Sequence, residues 1–366
     1  MDKKKTLIIA ITGNIFSDQR MQRIAGALSE SEWNVDLYYR NYFKNKILKP
    51  VSEPSYTFNV FGIKSKFKSG ILFYLAYNVQ LFIKLVFKKT DMFYAVDSDT
   101  LPAFILLKTI RRKPLIYDAH EYFSEVPELS NSPFKKWVWH TITKIGVRLS
   151  KTCITVGPAI SNELKRRYGK TFVSIRNVPL QRKIEFPPTD SLRAILYQGA
   201  LNKDREIELL IRAMDKLPNF KCLIAGEGDL SQSLRELAKN SSNVEFLGLL
   251  SPNALAELTP KCYAGYNLLN AEESLSYYYS LSNKYFDYMQ AEIPSISSKL
   301  PEYLRLNEAF NCGVCIENNE AELIKIIKNW DSNPAEYQKL KENAKFAAEK
   351  NHWELEKQKL IELIDL

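Results

Sequence analysis

Thr6-Leu7-Ile8-Ile9-Ala10-Ile11-Thr12-Gly13-Asn14 is the stretch that decides the fold class. Its five consecutive apolar residues predict a strand buried on both faces, and Gly13-Asn14 predicts the turn that ends it. A helical pattern follows from Met21 to Leu28, and the segment from Val35 to Tyr39 predicts a second strand. Strand, glycine turn, helix and strand are the start of a doubly wound parallel sheet.

The same order of elements returns after a polar, proline-bearing stretch from Asn177 to Asp190. Strands predicted at 194–197, 222–225 and 244–247 end at Gly199, Gly226 and Gly248. We therefore predict an α/β protein of two tandem Rossmann-like, doubly wound domains that face a cleft. The first domain is expected at residues 1–185 and the second at 186–345, with a C-terminal helix at 346–366 packing back on the first domain.

The composition is that of a globular protein that attracts anions. Of the 366 residues, 45% are hydrophobic and 25% are charged, which excludes a disordered chain. The net charge of +9 favours phosphate-bearing ligands, an anionic membrane or nucleic acid. Because no recognised nucleic-acid module accompanies this charge, we predict no nucleic-acid partner.

Cysteine usage and the N-terminal segment indicate a cytoplasmic protein. Five cysteines in a chain of this length do not form a disulfide framework. Cys312 and Cys315 form a C-x-x-C pair, but zinc needs a second ligand pair, so we interpret them as buried strand thiols. The run from Thr6 to Thr12 lacks a signal-peptide cleavage site, and the longest uncharged apolar run is too short to span a bilayer.

Polar residues follow several predicted strands, where ligands bind in sheets of this class. His120 follows a strand, and it is either a ligand-facing imidazole or a core histidine bonded to a carbonyl. Arg205 comes shortly after Gly199, and it either holds a diphosphate or pairs with a neighbouring acid on the surface. Gly13 and Gly226 either permit close backbone approach or simply form turns.

Several segments together resemble the family-four retaining glycosyltransferases, which have the two-domain GT-B fold. The segments are Asp18–Leu28, Val96–Leu101, Tyr117–Glu121, Tyr197–Arg205, Ile224–Gly228 and Ser282–Pro294. The resemblance implies that a sugar moves from a nucleoside diphosphate donor to a hydroxyl of a glycan or lipid-linked acceptor, in the synthesis of cell-surface polysaccharide or glycolipid. It also implies that no metal or other cofactor is needed. Asp97-Ser98-Asp99 has the D-x-D spacing, but its place in the first half favours a loop feature.

The resemblance also assigns roles to residues. His120 takes the place of a catalytic imidazole beside the donor sugar, Arg205 that of a cation on the diphosphate, and Asp287 that of a carboxylate on the ribose hydroxyls. Lys284 assists Arg205 or contacts the sugar. The remaining positions implied for donor binding are Gly13, Gly199, Gly226, Glu227, Tyr279, Ser282 and Asn283.

One departure from the family leaves two alternatives open. The family often has two glutamates with seven residues between them, and here Tyr279 and Asp287 stand at those positions. An inactive subunit that binds a nucleotide sugar or glycan is therefore an alternative. A sugar-nucleotide epimerase of the same fold is another, although such an enzyme needs several acid–base groups near the donor.

A basic, apolar segment in the first half predicts contact with a membrane. Lys64, Lys66 and Lys68 precede the apolar stretch from Gly70 to Phe87, in which Lys84 lies and which Lys88 follows. Such a pattern is typical of a helix that lies on an anionic membrane surface. The alternative is a core helix with lysines at its ends. The acceptor-side contacts are thus expected at Lys64, Lys66, Lys68, Lys84 and Lys88.

Overall fold

A computed structural model describes residues 4–41, 58–65, 67, 69–129, 132–182 and 192–365. Two compact units make up the chain: Met1–Arg176 with Glu356–Leu366, and Asn177–Leu355. The change of unit therefore comes at Arg176/Asn177 and at Leu355/Glu356, whereas the sequence suggested 185/186 and 345/346. The backbone N–H of Ile175 still donates to Thr155 in the first unit, while the carbonyl of Pro179 accepts from Trp353 in the second.

The described residues of the first unit alternate strands and helices. The strands are β1 (Lys5–Ala10), β2 (Trp33–Asn41), β3 (Asn59–Lys64), β4 (Met92–Val96), β5 (Leu115–Ala119), β6 (Thr152–Thr155) and β7 (Val173–Ser174). The helices are α1 (Gln19–Glu30), α2 (Gly70–Leu85), α3 (Asp97–Arg111), α4 (Pro133–Leu149) and α5 (Pro158–Tyr168). Two short 3₁₀ turns, Phe123–Glu125 and Pro127–Leu129, precede α4.

These strands form a parallel sheet in the order β3-β2-β1-β4-β5-β6-β7. The central strand β1 pairs with β2 and β4, so that Leu7 lies between Val35 and Met92. Its apolar residues are fully buried because helices cover both faces of a doubly wound sheet. The strand order reverses between β1 and β4, and ligands of such sheets bind at the carboxyl ends of the strands on either side of that point.

The second unit repeats this plan in its described residues. The strands are β8 (Ala194–Gln198), β9 (Lys221–Ala225), β10 (Val244–Gly248), β11 (Ala264–Asn267), β12 (Ser295–Ser298) and β13 (Gly313–Ile316). The helices are α6 (Ile207–Met214), α7 (Ser231–Leu237), α8 (Pro252–Leu258), α9 (Leu275–Tyr278), α10 (Asn283–Gln290), α11 (Pro301–Phe310), α12 (Glu320–Ser332) and α13 (Pro334–Lys350). The parallel sheet has the order β10-β9-β8-β11-β12-β13, and it reverses between β8 and β11. The predicted α/β class with two Rossmann-like sheets is confirmed.

The last helix, α14 (Trp353–Asp365), begins in the second unit and ends in the first. Within the first unit, Glu356 is fully buried and its Oε1 lies 2.7 Å from Nη2 of Arg176. Lys357 forms an ion pair with Glu30 of α1. Residues 356–365 are thus the part of the predicted 346–366 segment that packs on the first unit, whereas α13 packs within the second.

The cysteines lie in strands or next to them, and four of the five are buried. All five are free thiols, and Cys312 and Cys315 border and enter the edge strand β13. Burial raises the pKa of the Cys315 thiol to about 11, so it is protonated at neutral pH. None of the described helices is long and apolar enough to cross a membrane.

Candidate functional site

The carboxyl ends of β8, β9 and β10 are drawn together by glycines. Gly199 follows β8 with a φ of +136°, and Gly226 follows β9 with a φ of +155°. A methyl group on Gly226 would overlap the carbonyl of Gly199, and one on Gly228 would overlap the backbone of Leu201. The glycine pattern in these loops therefore permits backbone to pack on backbone beside the point where the sheet reverses.

Arg205 lies on a loop with unusual backbone geometry. Its neighbours Asp204 and Glu206 have φ values of +66° and +53°, the left-handed region that side chains other than glycine rarely adopt. The guanidinium carbon of Arg205 lies 4.9 Å from the centre of the Tyr277 ring, and its Nε is buried without a hydrogen-bond partner. Such strain and an unpaired buried donor are typical of ligand sites.

Lys284, in the first turn of α10, lies beside the same loop. Its Nζ is 4.2 Å from the centre of the Tyr197 ring, and a methyl group on Gly199 would lie 3.6 Å from it. Burial of the ammonium group lowers the pKa of Lys284 well below 10.5, and the positive charge of Arg205 lowers it further. The charge of Arg205 thus acts on Lys284, so the two cations lie near each other, and along the described ranges of the chain neither forms an ion pair with a carboxylate.

The N-terminal end of α10 is partly occupied by contacts within the protein. The backbone N–H of Ser282 donates to the Tyr303 hydroxyl at 3.1 Å, and the Ser282 hydroxyl donates to Asn267 at 2.8 Å. Asn283 begins the helix and is exposed, and the hydroxyl oxygen of Ser280 is buried without a partner. The backbone N–H of Ser282 is therefore already engaged, whereas the side chain of Asn283 is exposed.

Three other residues that were predicted to bind the nucleotide-sugar donor contact other residues of the second unit. Oδ2 of Asp287 accepts from Nε2 of Gln198 at the end of β8, at 2.9 Å. The Glu227 carboxylate pairs with Arg235 at 2.6 Å, and this hydrogen-bonded pair lowers the pKa of Glu227 to about 2. Tyr279 ends α9, and its ring contacts Tyr278 edge to face.

In the first unit, His120 belongs to a buried cluster around Asp118. The carboxylate of Asp118 accepts from Nη2 of Arg20 through its two oxygens, at 3.0 and 3.1 Å, and from the Tyr94 hydroxyl at 2.7 Å. Nε2 of His120 lies 3.1 Å from the same carboxylate. Burial alone would raise the pKa of Asp118, but the positive charge of Arg20 holds it below its usual range. Burial acts to lower the pKa of His120, but Asp118 raises it overall.

Two further carboxyl groups lie where the first sheet reverses, at the start of α3. Asp97, with a φ of +53°, accepts the backbone N–H of His120 at 2.8 Å. Asp99 accepts from the Thr12 hydroxyl through Oδ2, and its Oδ1 is buried without a partner. Burial raises the pKa of Asp97 to about 7 and that of Asp99 to about 8. A methyl group on Gly13 would meet no atom within 4 Å, so this turn does not need glycine for packing.

The lysines predicted to contact a membrane differ in their surroundings. Lys64 and Lys84 are exposed at the end of β3 and in the last turn of α2. Lys88 instead forms an ion pair with Asp36 at 2.7 Å. Lys66 and Lys68 lie outside the described residues. Over the described ranges, no group of three or more His, Cys, Asp or Glu side chains is arranged to hold a metal ion.

Residues 181–346, within the second unit, match the protein family described as glycosyl transferases group 1. This chain is a glycosyltransferase. The matched range contains Arg205, Lys284 and the glycine loops of β8 and β9, so the two adjacent cations belong to the domain that carries the match. A search of curated proteins finds no sequence that matches this glycosyltransferase.

Solved structures resemble the glycosyltransferase over nearly its whole length. Sucrose-phosphate synthase from Thermosynechococcus elongatus has a TM-score of 0.78 at 14% identity, covering 99% of this chain and 98% of that one. HepE of Anabaena in complex with UDP and glucose has a TM-score of 0.77 at 16% identity, covering 99% of each. WaaG, a glycosyltransferase involved in lipopolysaccharide biosynthesis, has a TM-score of 0.72 at 12% identity, covering 98% and 99%. The glycosyltransferase therefore has the GT-B fold.

Sequence reasoning missed several residues of the glycosyltransferase that shape these clusters. Tyr197 and Tyr277 place their rings against Lys284 and Arg205, and Asn267 holds Ser282. No local signal identifies these residues, because tyrosines are frequent in this chain and each contact joins distant parts of the sequence. Asp118 stands in the quoted segment Tyr117–Glu121, but its pairing with Arg20 becomes visible only in the folded unit.

Proposed function

We propose that the protein is a retaining glycosyltransferase that uses a nucleoside diphosphate sugar. Its acceptor is a hydroxyl of a glycan or lipid-linked molecule, in the synthesis of cell-surface polysaccharide or glycolipid. The single observation that carries the proposal is that Arg205 and Lys284 lie near each other in the second unit, with no carboxylate paired to either in the part of the chain that is described.

Two neighbouring positive charges in a protein repel each other unless an anion binds beside them. Repulsion from Arg205 and burial together disfavour the charged form of Lys284. A diphosphate bound beside both side chains would reverse this balance, because its negative charge favours the ammonium form. Arg205 can bind phosphate oxygens through two parallel N–H groups, and Lys284 adds a point charge.

These groups suit the chemistry of sugar transfer. Cleavage of the bond between the sugar and the diphosphate leaves negative charge on the departing group. Cations held in place before the reaction stabilise that charge more than they stabilise the intact donor. Arg205 is held by its loop and by the Tyr277 ring, so little reorganisation is needed when the charge develops.

We assign the imidazole of His120 to the donor sugar, as the family resemblance implies. Asp118 binds Nε2 and raises the pKa of His120, which favours an imidazolium that donates hydrogen bonds. Arg20 and Tyr94 donate hydrogen bonds to the Asp118 carboxylate and so fix its position. We also propose that Asp287 contacts the nucleoside and that the exposed Asn283 contacts the donor sugar.

The similar structures support the choice of donor and acceptor class. HepE of Anabaena has been crystallised with UDP-glucose and with UDP, and WaaG acts in lipopolysaccharide biosynthesis. WaaB is a galactosyltransferase of the lipopolysaccharide outer core. By analogy with these proteins, we propose a nucleoside diphosphate sugar as the donor of this chain and a glycan or lipid-linked molecule as its acceptor.

Calorimetry with UDP, GDP and ADP tests the donor site. We expect one nucleotide to bind, and Arg205→Ala to weaken its binding by roughly 10- to 100-fold because a charge-assisted contact is lost. Lys203→Ala is the matched control, since Lys203 lies on the same loop with its side chain 78% exposed. Equal affinities of the Arg205→Ala variant and the native protein would contradict the proposed diphosphate contact.

Turnover distinguishes the proposed enzyme from its alternatives. A purified enzyme should slowly hydrolyse the nucleotide sugar that it binds and should transfer the sugar to an acceptor, releasing the nucleoside diphosphate. Tight binding without release of the nucleotide would instead indicate an inactive binding subunit. Conversion of the donor into an isomeric nucleotide sugar would indicate an epimerase.

A further inference from the structure

Helix α2 has apolar residues on two opposite sides. Phe73, Tyr77, Leu81 and Leu85 recur every four residues and are buried against the sheet. Leu72, Leu75, Val79 and Ile83 form a second stripe on the other side, where Leu75 is 61% and Ile83 is 64% exposed. A surface helix normally presents polar residues on that side, so packing among the described residues of this unit does not explain the second stripe.

Exposed apolar side chains continue on the two helices next to α2. Ile110 of α3 is 58% exposed, and Phe134 and Trp137 of α4 are 71% and 63% exposed. The three helices pack side by side: Tyr74 of α2 contacts the Trp139 ring of α4 at 5.1 Å between ring centres, and Gly146 of α4 lets Leu101 of α3 approach closely. We call Leu75, Val79, Ile83, Ile110, Phe134 and Trp137 the outer helical face.

The charges around the outer helical face are of one sign. Helices α2 and α4 contain no Asp or Glu, and the acids of α3 are confined to its first turn. Lys84, Lys135, Lys144 and Arg148 are exposed on these helices. Lys88 and Lys136 are excluded from this set because they pair with Asp36 and Glu125.

We propose that the outer helical face docks on the surface of an anionic lipid membrane. Apolar side chains would enter the boundary between headgroups and acyl chains, with Trp137 at headgroup level, and the exposed lysines would contact anionic headgroups. This inference deepens the proposed lipid-linked acceptor class and rests on it for its biological purpose.

Charge complementarity selects the membrane over other occupants. A second copy of this chain would bring together two faces whose exposed helical charges are basic, which is unfavourable at the separations of an interface. An anionic lipid surface instead attracts every exposed cation of the three helices. The apolar residues alone would bind a neutral surface, so the basic residues predict a preference for anionic lipid.

Vesicle flotation of the native protein is the direct test. The probes are vesicles of phosphatidylcholine with about one third phosphatidylglycerol, and vesicles of phosphatidylcholine alone. We expect at least tenfold stronger partitioning into the anionic vesicles, and weaker binding at higher salt because exposed charges are screened. Equal or absent binding to both vesicles would overturn the proposal.

Two sets of variants separate the apolar and the charged contributions. Leu75→Glu with Ile83→Glu should reduce partitioning at least tenfold, whereas Leu249→Glu, at a residue of the second unit that is 78% exposed, should leave it unchanged. Lys135→Glu with Lys144→Glu should also reduce it at least tenfold. Lys325→Glu with Lys328→Glu, which changes the net charge equally on exposed positions of α12, should have a smaller effect.

Folding and donor binding are measured separately from vesicle binding. Circular dichroism and the melting temperature check the fold, and a single Ile83→Glu variant replaces the double variant if the latter is unstable. Because flotation uses no nucleotide, failure to bind vesicles leaves the donor site untouched, and failure to bind nucleotide leaves the flotation result valid. Sedimentation is the test for a second copy as the occupant. A dimer that dissociates when Leu75 and Ile83 are changed to Glu, together with no binding to vesicles, would overturn the proposal in favour of a second copy.

Discussion

Two buried carboxyl groups of the first unit show how partners decide the behaviour of a single residue. Asp118 receives hydrogen bonds from Arg20 and Tyr94 and lies against His120, and its pKa is held below the usual range despite burial. Asp99 accepts from the Thr12 hydroxyl but has no cation paired to it among the described residues, and burial raises its pKa to about 8. Burial disfavours the charged form of both residues, but the partners of Asp118 outweigh burial, whereas those of Asp99 do not.

The raised pKa of Asp99 predicts a loss of stability as pH rises. Below its ordinary pKa of 3.8 the group is protonated in both states, and its favourable contribution is fully present. Between 3.8 and about 8 the unfolded chain releases this proton while the folded chain keeps it, so the free energy of unfolding falls. The Asp99→Asn side chain is neutral at every pH. Between pH 5 and pH 8 the free energy of unfolding of this variant should therefore fall less than that of the native protein, by on the order of 1–3 kcal/mol.

Scanning calorimetry at several pH values measures the effect of Asp99→Asn. The exposed Asp229 of the second unit provides a control, and its Asn variant should follow the native curve. A variant at Asp99 whose melting temperature depends on pH as steeply as the native protein would show that Asp99 ionises normally in the folded state.

At the scale of elements, helix α2 presents apolar residues in two environments. Leu81 is fully buried against the sheet, whereas Leu75 is 61% exposed. We expect Leu81→Ala to reduce the free energy of unfolding by about 2–5 kcal/mol, because transfer energy is lost and a cavity remains. Leu75→Ala should change it by no more than about 0.5 kcal/mol.

Urea denaturation compares the two leucine variants under one condition. The same substitution in the same helix has the same intrinsic helix propensity, so the difference between the variants reports burial alone. Similar losses of stability in both would show that the exposed stripe is covered within the folded chain, which would also remove the basis of the membrane proposal.

At the scale of the whole molecule, each unit has its own cluster at the carboxyl edge of its own sheet. Arg205 and Lys284 belong to the second unit, and His120 and Asp118 belong to the first. Both sheets reverse their strand order, between β1 and β4 and between β8 and β11, beside these clusters. The two halves of the chain therefore place different ionisable groups at corresponding edges of the same architecture.

His120→Ala tests this division of labour. Because His120 is not in the unit that we expect to hold the diphosphate, the variant should keep the native affinity for the nucleoside diphosphate. Its turnover should fall roughly 100-fold if the imidazole stabilises the reacting sugar. Kinetics with the identified donor and calorimetry with the nucleotide give the two quantities, and His352→Ala is the control. Unchanged turnover would remove His120 from the reaction.

The sequence predicts most of the sheet strands that carry a continuous apolar run, and it misses those that do not. Leu7–Ile11 and Ala194–Tyr197 predict the central strands β1 and β8, and the glycines after them predict the turns. Strands β11 and β12, with the sequences Ala-Gly-Tyr-Asn and Ser-Ile-Ser-Ser, have no such run. Their polar residues are buried because Asn267 bonds to Ser297 across the sheet, a contact that no local pattern records.

A family resemblance nominated Lys284, and local patterns of the sequence by themselves determined the α/β class, the repetition of the Rossmann-like plan and the candidates Arg205 and His120. Local patterns suffice for these features because hydrophobic periodicity and turn residues act over a few positions. Only the tertiary structure decided that Arg205 lies next to Lys284, that Arg20 neutralises Asp118 and that one apolar side of α2 stays exposed. Each of these depends on segments far apart in the chain, where charge and burial are set by what the fold brings into contact.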